Sequence, residues 1–293
     1  MKSSFLVSLI LTGLVTTTVY AQTSTVAATT TEEKSSFDKF NERLKVGYFG
    51  AYSGSSINNW DNLAPDEHGV KDPSYAHNLF NQFSFNYNFG AKMNFILNPR
   101  FTLNTGRTTG HSEETNGLLV LEDTLTGFQG VLHSSADKKF NYWTRFALRL
   151  PTSRTSRVRD ITFQPDWAHS FTYDFNTTWQ LGLSVSLRQW VYEQRFNADR
   201  YRVYVAPNFT YTINDTTKVQ AWWETYGEDR LPAAGKDPKF QEYWQNLMVG
   251  VAKDVTPKLN IYPFIGYYIN TEYGDERPLD PAWLGAWISY QIQ

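Results

Sequence analysis

Between Asn81 and Pro99, apolar side chains fall at every second position: Phe83, Phe85, Tyr87, Phe89, Ala91, Met93, Phe95 and Leu97. The residues between them are Ser84, Asn86, Asn88, Gly90, Lys92, Asn94 and Ile96, of which only Ile96 is apolar. Successive side chains point to opposite faces of a strand, so the stretch reads as a single strand with one greasy and one polar face. At about 3.3 Å per residue it would run roughly 50 Å, far beyond the ~17–20 Å usual for a globular strand. Such a strand needs apolar surroundings on one side and water on the other.

The same period of two recurs along the chain. It places Phe140, Tyr142, Phe146, Leu148 and Leu150 on one face, and Asn141, Trp143, Arg145, Ala147 and Arg149 on the other. It likewise sets Trp179 to Leu187 against Gln180 to Arg188, and Leu284 to Ile292 against Trp283 to Gln291. Short polar connections are expected at Asn98-Pro99-Arg100, 134–139, Asn176-Thr177, 214–217 and 254–258. Long ones are expected near 53–78, 107–121, 151–163, 190–200, 227–240 and 271–281. Five short and six long connections make a twelve-strand antiparallel meander, with short turns at one end and long loops at the other. That is the pattern of an all-β, membrane-spanning up-and-down barrel, closed because lipid cannot satisfy an open sheet edge. A soluble exported β-sandwich also alternates, but it does not require short and long connections to alternate. Trp179, Tyr201, Tyr211 and Tyr243 sit where interface girdles belong.

The first residues, MKSSFLVSLILTGLVTTTVYAQ, carry Lys2, an apolar core from Phe5 to Val15 and the small-residue site Val19-Tyr20-Ala21. Residues 1–21 therefore read as a secretory signal peptide. Residues 22–43 are Ser/Thr-rich and charged, a flexible leader on the periplasmic side, with a short plug helix from Ser36 to Leu44 as one reading of its end. Residues 44–293 would form the barrel. No apolar run reaches membrane-helix length. With no cysteine there is neither a disulfide nor a cysteine metal site, and a net charge of −2 argues against a nucleic-acid partner. Aromatic residues make up 16% of an otherwise polar chain, which suits apolar side chains that alternate rather than cluster.

In its signal peptide, alternation and loop pattern the chain resembles the Gram-negative outer-membrane β-barrels, particularly porin-like channels of about twelve strands. The resemblance implies an outer-membrane location with short periplasmic turns and extracellular long loops. It also implies contact with lipid and lipopolysaccharide, insertion by the outer-membrane assembly machinery, and a monomer or loose oligomer. Such chains usually end in an aromatic residue that helps the machinery read the last strand, whereas this one ends Tyr290-Gln291-Ile292-Gln293.

Inward-facing charges on this reading are Lys45, Lys92, Arg145, Arg149, Arg188 and Arg202 against Asp174 and Glu224. A surplus of Arg and Lys in a narrow low-dielectric pore favours anions, unless the arginines pair with carboxylates and merely brace the wall. Trp222, Tyr226, Trp244, Trp283 and Trp287 point inward on the later strands, where they can stack on flat solutes or simply fill a small barrel. The expected pore-lining set is Lys92, Arg145, Arg149, Arg188, Arg202, Glu224, Trp222 and Trp287. The function expected is passive diffusion of small polar solutes with a mild anion preference. The alternative is a structural or receptor barrel closed by aromatic side chains. An outer-membrane phospholipase-like enzyme is a third reading, but its nearest stretch, Gly110-His111-Ser112-Glu113-Glu114, lacks that family's order and spacing. No catalytic residue and no cofactor is expected. The scattered His68, His77, His133 and His169 do not suggest a metal site, and carboxylates such as Asp61, Asp66, Glu113 and Glu272 read as a solvated loop face.

Overall fold

The computed structural model describes residues 36–56, 78–90, 92–104, 119–193, 199–230, 239–269 and 282–293. After a short helix, α1 (Ser36–Arg43), come β1 (Leu44–Ser56), β2 (Asn78–Asn88), β3 (Met93–Asn98), β4 (Arg100–Asn104), β5 (Leu119–Leu121), β6 (Thr124–Ser134) and β7 (Phe140–Leu150). A second helix, α2 (Arg154–Val158), precedes β8 (Ile161–Asp174), β9 (Trp179–Gln189), β10 (Val191–Tyr192), β11 (Asp199–Asn214), β12 (Thr217–Arg230), β13 (Lys239–Thr256), β14 (Leu259–Tyr268) and β15 (Ala282–Gln291). Staves successive in sequence pair antiparallel, and β1 pairs with both β2 and β15, which closes the ring. Pro99 interrupts one stave into β3 and β4, Glu122 and Asp123 split another into β5 and β6, and β10 continues the line of β9 against β8. The result is a closed barrel of twelve staves.

The expected 81–99 strand is instead a hairpin. β2 and β3 pair in the register Phe85 with Leu97 and Asn86 with Ile96. The chain reverses between Asn88 and Met93, where Gly90 takes φ +84° and its N–H donates to Asn88 Oδ1 at 2.6 Å. Glycine is suited to that left-handed conformation because it has no Cβ. Five residues separate the paired Asn88 and Asn94, so the period of two passes through the turn unbroken and hides it. Conversely, Asn98-Pro99-Arg100 is no turn. Pro99 sits within a stave, and its carbonyl accepts from Phe83 N at 3.1 Å. The other four short connections fall where expected. Of the expected long loops, 53–78 begins four residues late because β1 runs on to Ser56, and 107–121 ends in β5. The barrel strands also extend into 190–200 and 227–240.

The barrel is apolar outside, and within it is partly polar and partly aromatic. Phe83, Phe85, Leu97, Phe128, Phe146, Leu148, Leu181, Trp223, Val249 and Ile265 are between 37% and 53% exposed, all on the outward face. Their immediate neighbours Gln82, Ser84, Asn98, Arg145, Arg149, Gly182, Glu224 and Phe264 face inward. An apolar belt of this extent does not suit water, but it suits a bilayer. Trp179 packs against Tyr211, with ring centroids 4.4 Å apart, at the short-turn end of the belt. Helix α1 leans on this outer surface. Phe40 stacks on the outward-facing Tyr87 at 5.2 Å, and Gln293 Nε2 donates to Asn41 O at 3.1 Å. The helix therefore sits against the rim and does not enter the lumen as a plug. The signal peptide, the loop histidines His68 and His77, the carboxylates of the long loops and the side chain of Tyr243 lie outside the described residues.

Candidate functional site: the lumen wall

The lumen has two unlike walls. On β4 to β9 it is charged. Ladder partners bring the groups to one height: Gln82 faces Arg100, Leu125 faces Arg149, Ala147 faces Asp166, and Asp166 faces Arg188. Asp166, 1% exposed, is the hub. Its Oδ1 accepts from Arg145 Nη2 at 2.6 Å. Its Oδ2 accepts from Arg149 Nε at 2.9 Å and Arg188 Nε at 3.4 Å, and Arg149 Nη2 lies 2.8 Å from the same oxygen. Arg100, two staves along the same wall, completes the group within electrostatic reach of Arg145, Arg149 and Asp166. Arg202 pairs across the ladder with Arg188 and lies over Tyr226, 4.3 Å from its ring centre. Arg145, Arg149 and Arg188 share the Asp166 carboxylate, while Arg100 lies within electrostatic reach of it and of Glu122. Several kcal/mol of desolvation per buried ion must be offset by these contacts, so the cluster holds only while the carboxylate is present.

Above this wall, the loop after β7 folds inward. Asp123 anchors it by accepting from Ser153 N at 3.0 Å, from Ser156 Oγ and from Gln164 Nε2 at 2.6 Å. Thr152 Oγ donates to Glu122 O at 2.8 Å. Helix α2 is thereby held over the charged wall, and its Arg154 and Arg157 are exposed at the mouth.

The opposite wall, β12 to β15 with β1 and β2, is aromatic. Trp222, Met248, Tyr262, Phe264 and Trp283 form a buried cluster with Ala206 and Ala252, and Tyr204 and Trp287 pack against it. Gly266 and Gly285 make room for the rings: a Cβ on Gly266 would lie 2.3 Å from the Trp283 indole, and one on Gly285 would lie 2.4 Å from Phe264. Glu224 is buried at the margin between the walls, where it accepts from Tyr204 Oη at 2.6 Å.

Seven of the eight residues expected to line the pore point inward: Arg145, Arg149, Arg188, Arg202, Glu224, Trp222 and Trp287. The structure corrects the eighth. Lys92 stands exposed in the β2–β3 turn with Nζ 3.4 Å from Leu132 O, because the hairpin reverses at that point. Asp166, Arg100, Asp123 and Tyr204 were not anticipated. His169 faces outward, where its Nδ1 lies 3.0 Å from both Tyr142 Oη and Thr144 Oγ. The stretch from Gly110 to Glu114 and the side chain of Trp244 lie outside the described residues. Among the described residues, no group of three or more His, Asp or Glu side chains could hold a metal ion.

No family model matches the chain. Among solved structures it is similar to an outer membrane channel from Pseudomonas putida F1, with a TM-score of 0.54, 12% identity and coverage of 85% of this chain and 95% of that one. It also aligns with the NanC porin at a TM-score of 0.49 and 9% identity, over 85% of this chain and 99% of that one. At 12% identity the likeness to the first of these shows the fold alone, a closed antiparallel β-barrel. Among curated proteins it is similar to purple acid phosphatase 5 of Arabidopsis thaliana, 27% identical over 109 residues. That match takes in 37% of this chain, and the chain spans only about a quarter of the relative's length, 27%.

Proposed function

We propose that this chain is a non-enzymatic outer-membrane channel through which small polar solutes diffuse passively, with anions favoured. The observation carrying the reading is the charged wall, where Arg145, Arg149 and Arg188 gather on the single Asp166 and Arg100 lies within electrostatic reach. A field from fixed positive charges, focused by low-dielectric walls, raises the local anion concentration and lowers that of cations. Selection is by lumen width and charge, without turnover. The aromatic wall makes the passage asymmetric: a solute slides with its charged edge toward the arginines and its flat or apolar face toward Trp222 and Trp287.

A second reading, a closed structural or receptor barrel, is favoured by the same aromatic wall, because Trp222, Met248, Tyr262 and Phe264 are almost wholly buried. Planar-bilayer recording of the refolded protein across a KCl gradient separates the two. Discrete conductance with a reversal potential displaced toward that of chloride is expected, with the displacement larger at low salt. A cation-directed reversal potential overturns the anion preference, and absence of any conductance supports the closed reading.

A further inference from the structure

We propose that Arg100 is a seat for an oxyanion headgroup within the lumen, taking a carboxylate or phosphate group of a solute through two parallel N–H bonds. This deepens the channel reading above and rests on it. Arg100 is 5% exposed, yet its Nε and Nη2 have no hydrogen-bond partner. Those two nitrogens lie along one edge of the planar guanidinium, spaced to meet the two oxygens of a carboxylate or two of a phosphate. Arg145 Nε, 4% exposed at the residue level, is likewise without a partner.

A wall built only to brace itself would satisfy its own donors, because an unpaired buried N–H costs about 1–3 kcal/mol, and more when charged. Here the donors left over belong to the residues around Asp166. The cluster already demonstrates its chemistry on that carboxylate, whose two oxygens are held by three guanidinium groups. Nearby acids do not fill the remaining positions. Asp123 is taken by Ser153, Ser156 and Gln164, and Glu122 accepts from Thr102 Oγ at 3.0 Å. A solute carboxylate or phosphate would occupy the fork that these acids leave open. Chloride can accept from both donors but has no pair of oxygens spaced to match the fork.

The test is calorimetric titration of the refolded protein in detergent micelles with sodium acetate and, separately, with inorganic phosphate. Ionic strength is held constant with chloride. Saturable binding of at least one oxyanion is expected, and whichever binds more tightly tells a carboxylate-bearing solute from a phosphorylated one. Arg100→Lys keeps the charge but loses the fork, and should weaken binding tenfold or more. Lys258→Gln, in the β13–β14 turn, should bind as the parent does. If Arg100→Lys does not refold, Arg145→Lys removes the second unpartnered Nε and is expected to weaken binding in the same direction. Undiminished binding in the refolded Arg100 variant, or in its Arg145 substitute, overturns the seat, as does the absence of saturable heat with either oxyanion. Reversal potential is read on the same preparations. An anion-selective parent with undiminished Arg100→Lys binding loses the seat and keeps the channel. A silent or cation-selective parent whose binding depends on Arg100 keeps the seat and loses the channel.

Discussion

Replacing Asp166 by Asn should move stability and selectivity in opposite senses. The side chain keeps its size and one acceptor oxygen but loses its charge. At an effective dielectric constant near 20, unit charges about 4 Å apart attract by about 4 kcal/mol. Asp166 makes three such contacts, with Arg145, Arg149 and Arg188, against the desolvation of all four groups. Removing one partner from a buried ionic cluster typically costs about 3–5 kcal/mol, because the remaining charges stay buried and repel one another. With a urea m-value near 3 kcal/mol/M, the unfolding midpoint should fall by roughly 1–2 M. The assay is the shift of the folded, unboiled band on SDS gels after incubation in graded urea. The charge of the five-residue cluster rises by one unit, so the surviving folded protein should be more anion-selective in bilayers than its parent. An Asp166→Asn protein with an unchanged urea midpoint would refute the view that this carboxylate holds the arginines in place. An unchanged reversal potential beside a lowered midpoint would show that the cluster braces the wall without governing permeation.

The parent barrel should itself migrate differently boiled and unboiled, because a closed ring opens only by breaking a whole strand pair. Asp123→Ala removes the anchor of the α2 loop, and should raise the mean conductance and speed proteolysis between 151 and 160, which mass spectrometry of the fragments checks. Gly266→Ala drives a methyl group into the Trp283 indole and should cost about 1–3 kcal/mol of stability in the same urea titration. In the β6–β7 turn, hydrogen bonds from Ser135 Oγ and Lys139 N hold Asp137 below its ordinary carboxylate value. Its contribution to the turn is therefore complete above that ordinary value and is lost as pH falls through the lowered one. A carboxyl chemical shift that titrates at or above the ordinary value would contradict this.

Alternation alone conveys the twelve staves and the facing of Arg145, Arg149, Arg188, Arg202, Glu224, Trp222 and Trp287, because parity is a local property. It could not reveal that the 81–99 run is a hairpin, since a turn that keeps five residues between paired asparagines preserves parity. That error pushed Arg100 into a supposed turn and Lys92 into a supposed lumen. Asp166 was hidden differently. It lies between Pro165 and Trp167 in a segment partly assigned to a loop, and its meaning depends on Arg145, Arg149 and Arg188, which approach it only in the closed barrel. The weakest signal was the leader. Its composition reads as a flexible leader, with a plug helix as one reading, and the Phe40–Tyr87 and Gln293–Asn41 contacts place α1 on the outer rim.

The seam between β1 and β15 has a consequence for how the molecule comes into being. It joins Gly47 to Gln291 and Ala51 to Trp287, and the final residues add bonds from Ile292 N to Val46 O at 2.8 Å and from Gln293 N to the same oxygen at 3.2 Å. These partners are about as far apart in sequence as this chain allows. Loop-closure entropy is therefore lost in full before the last ladder returns anything, a slow step by topology. Until it occurs, β1 and β15 both present bare edges able to capture other chains. The vulnerable interval in the life of this protein is thus the wait for its two ends to meet, and the lifetime of that open sheet, more than the strength of the finished ring, should set how much of the chain reaches the membrane intact.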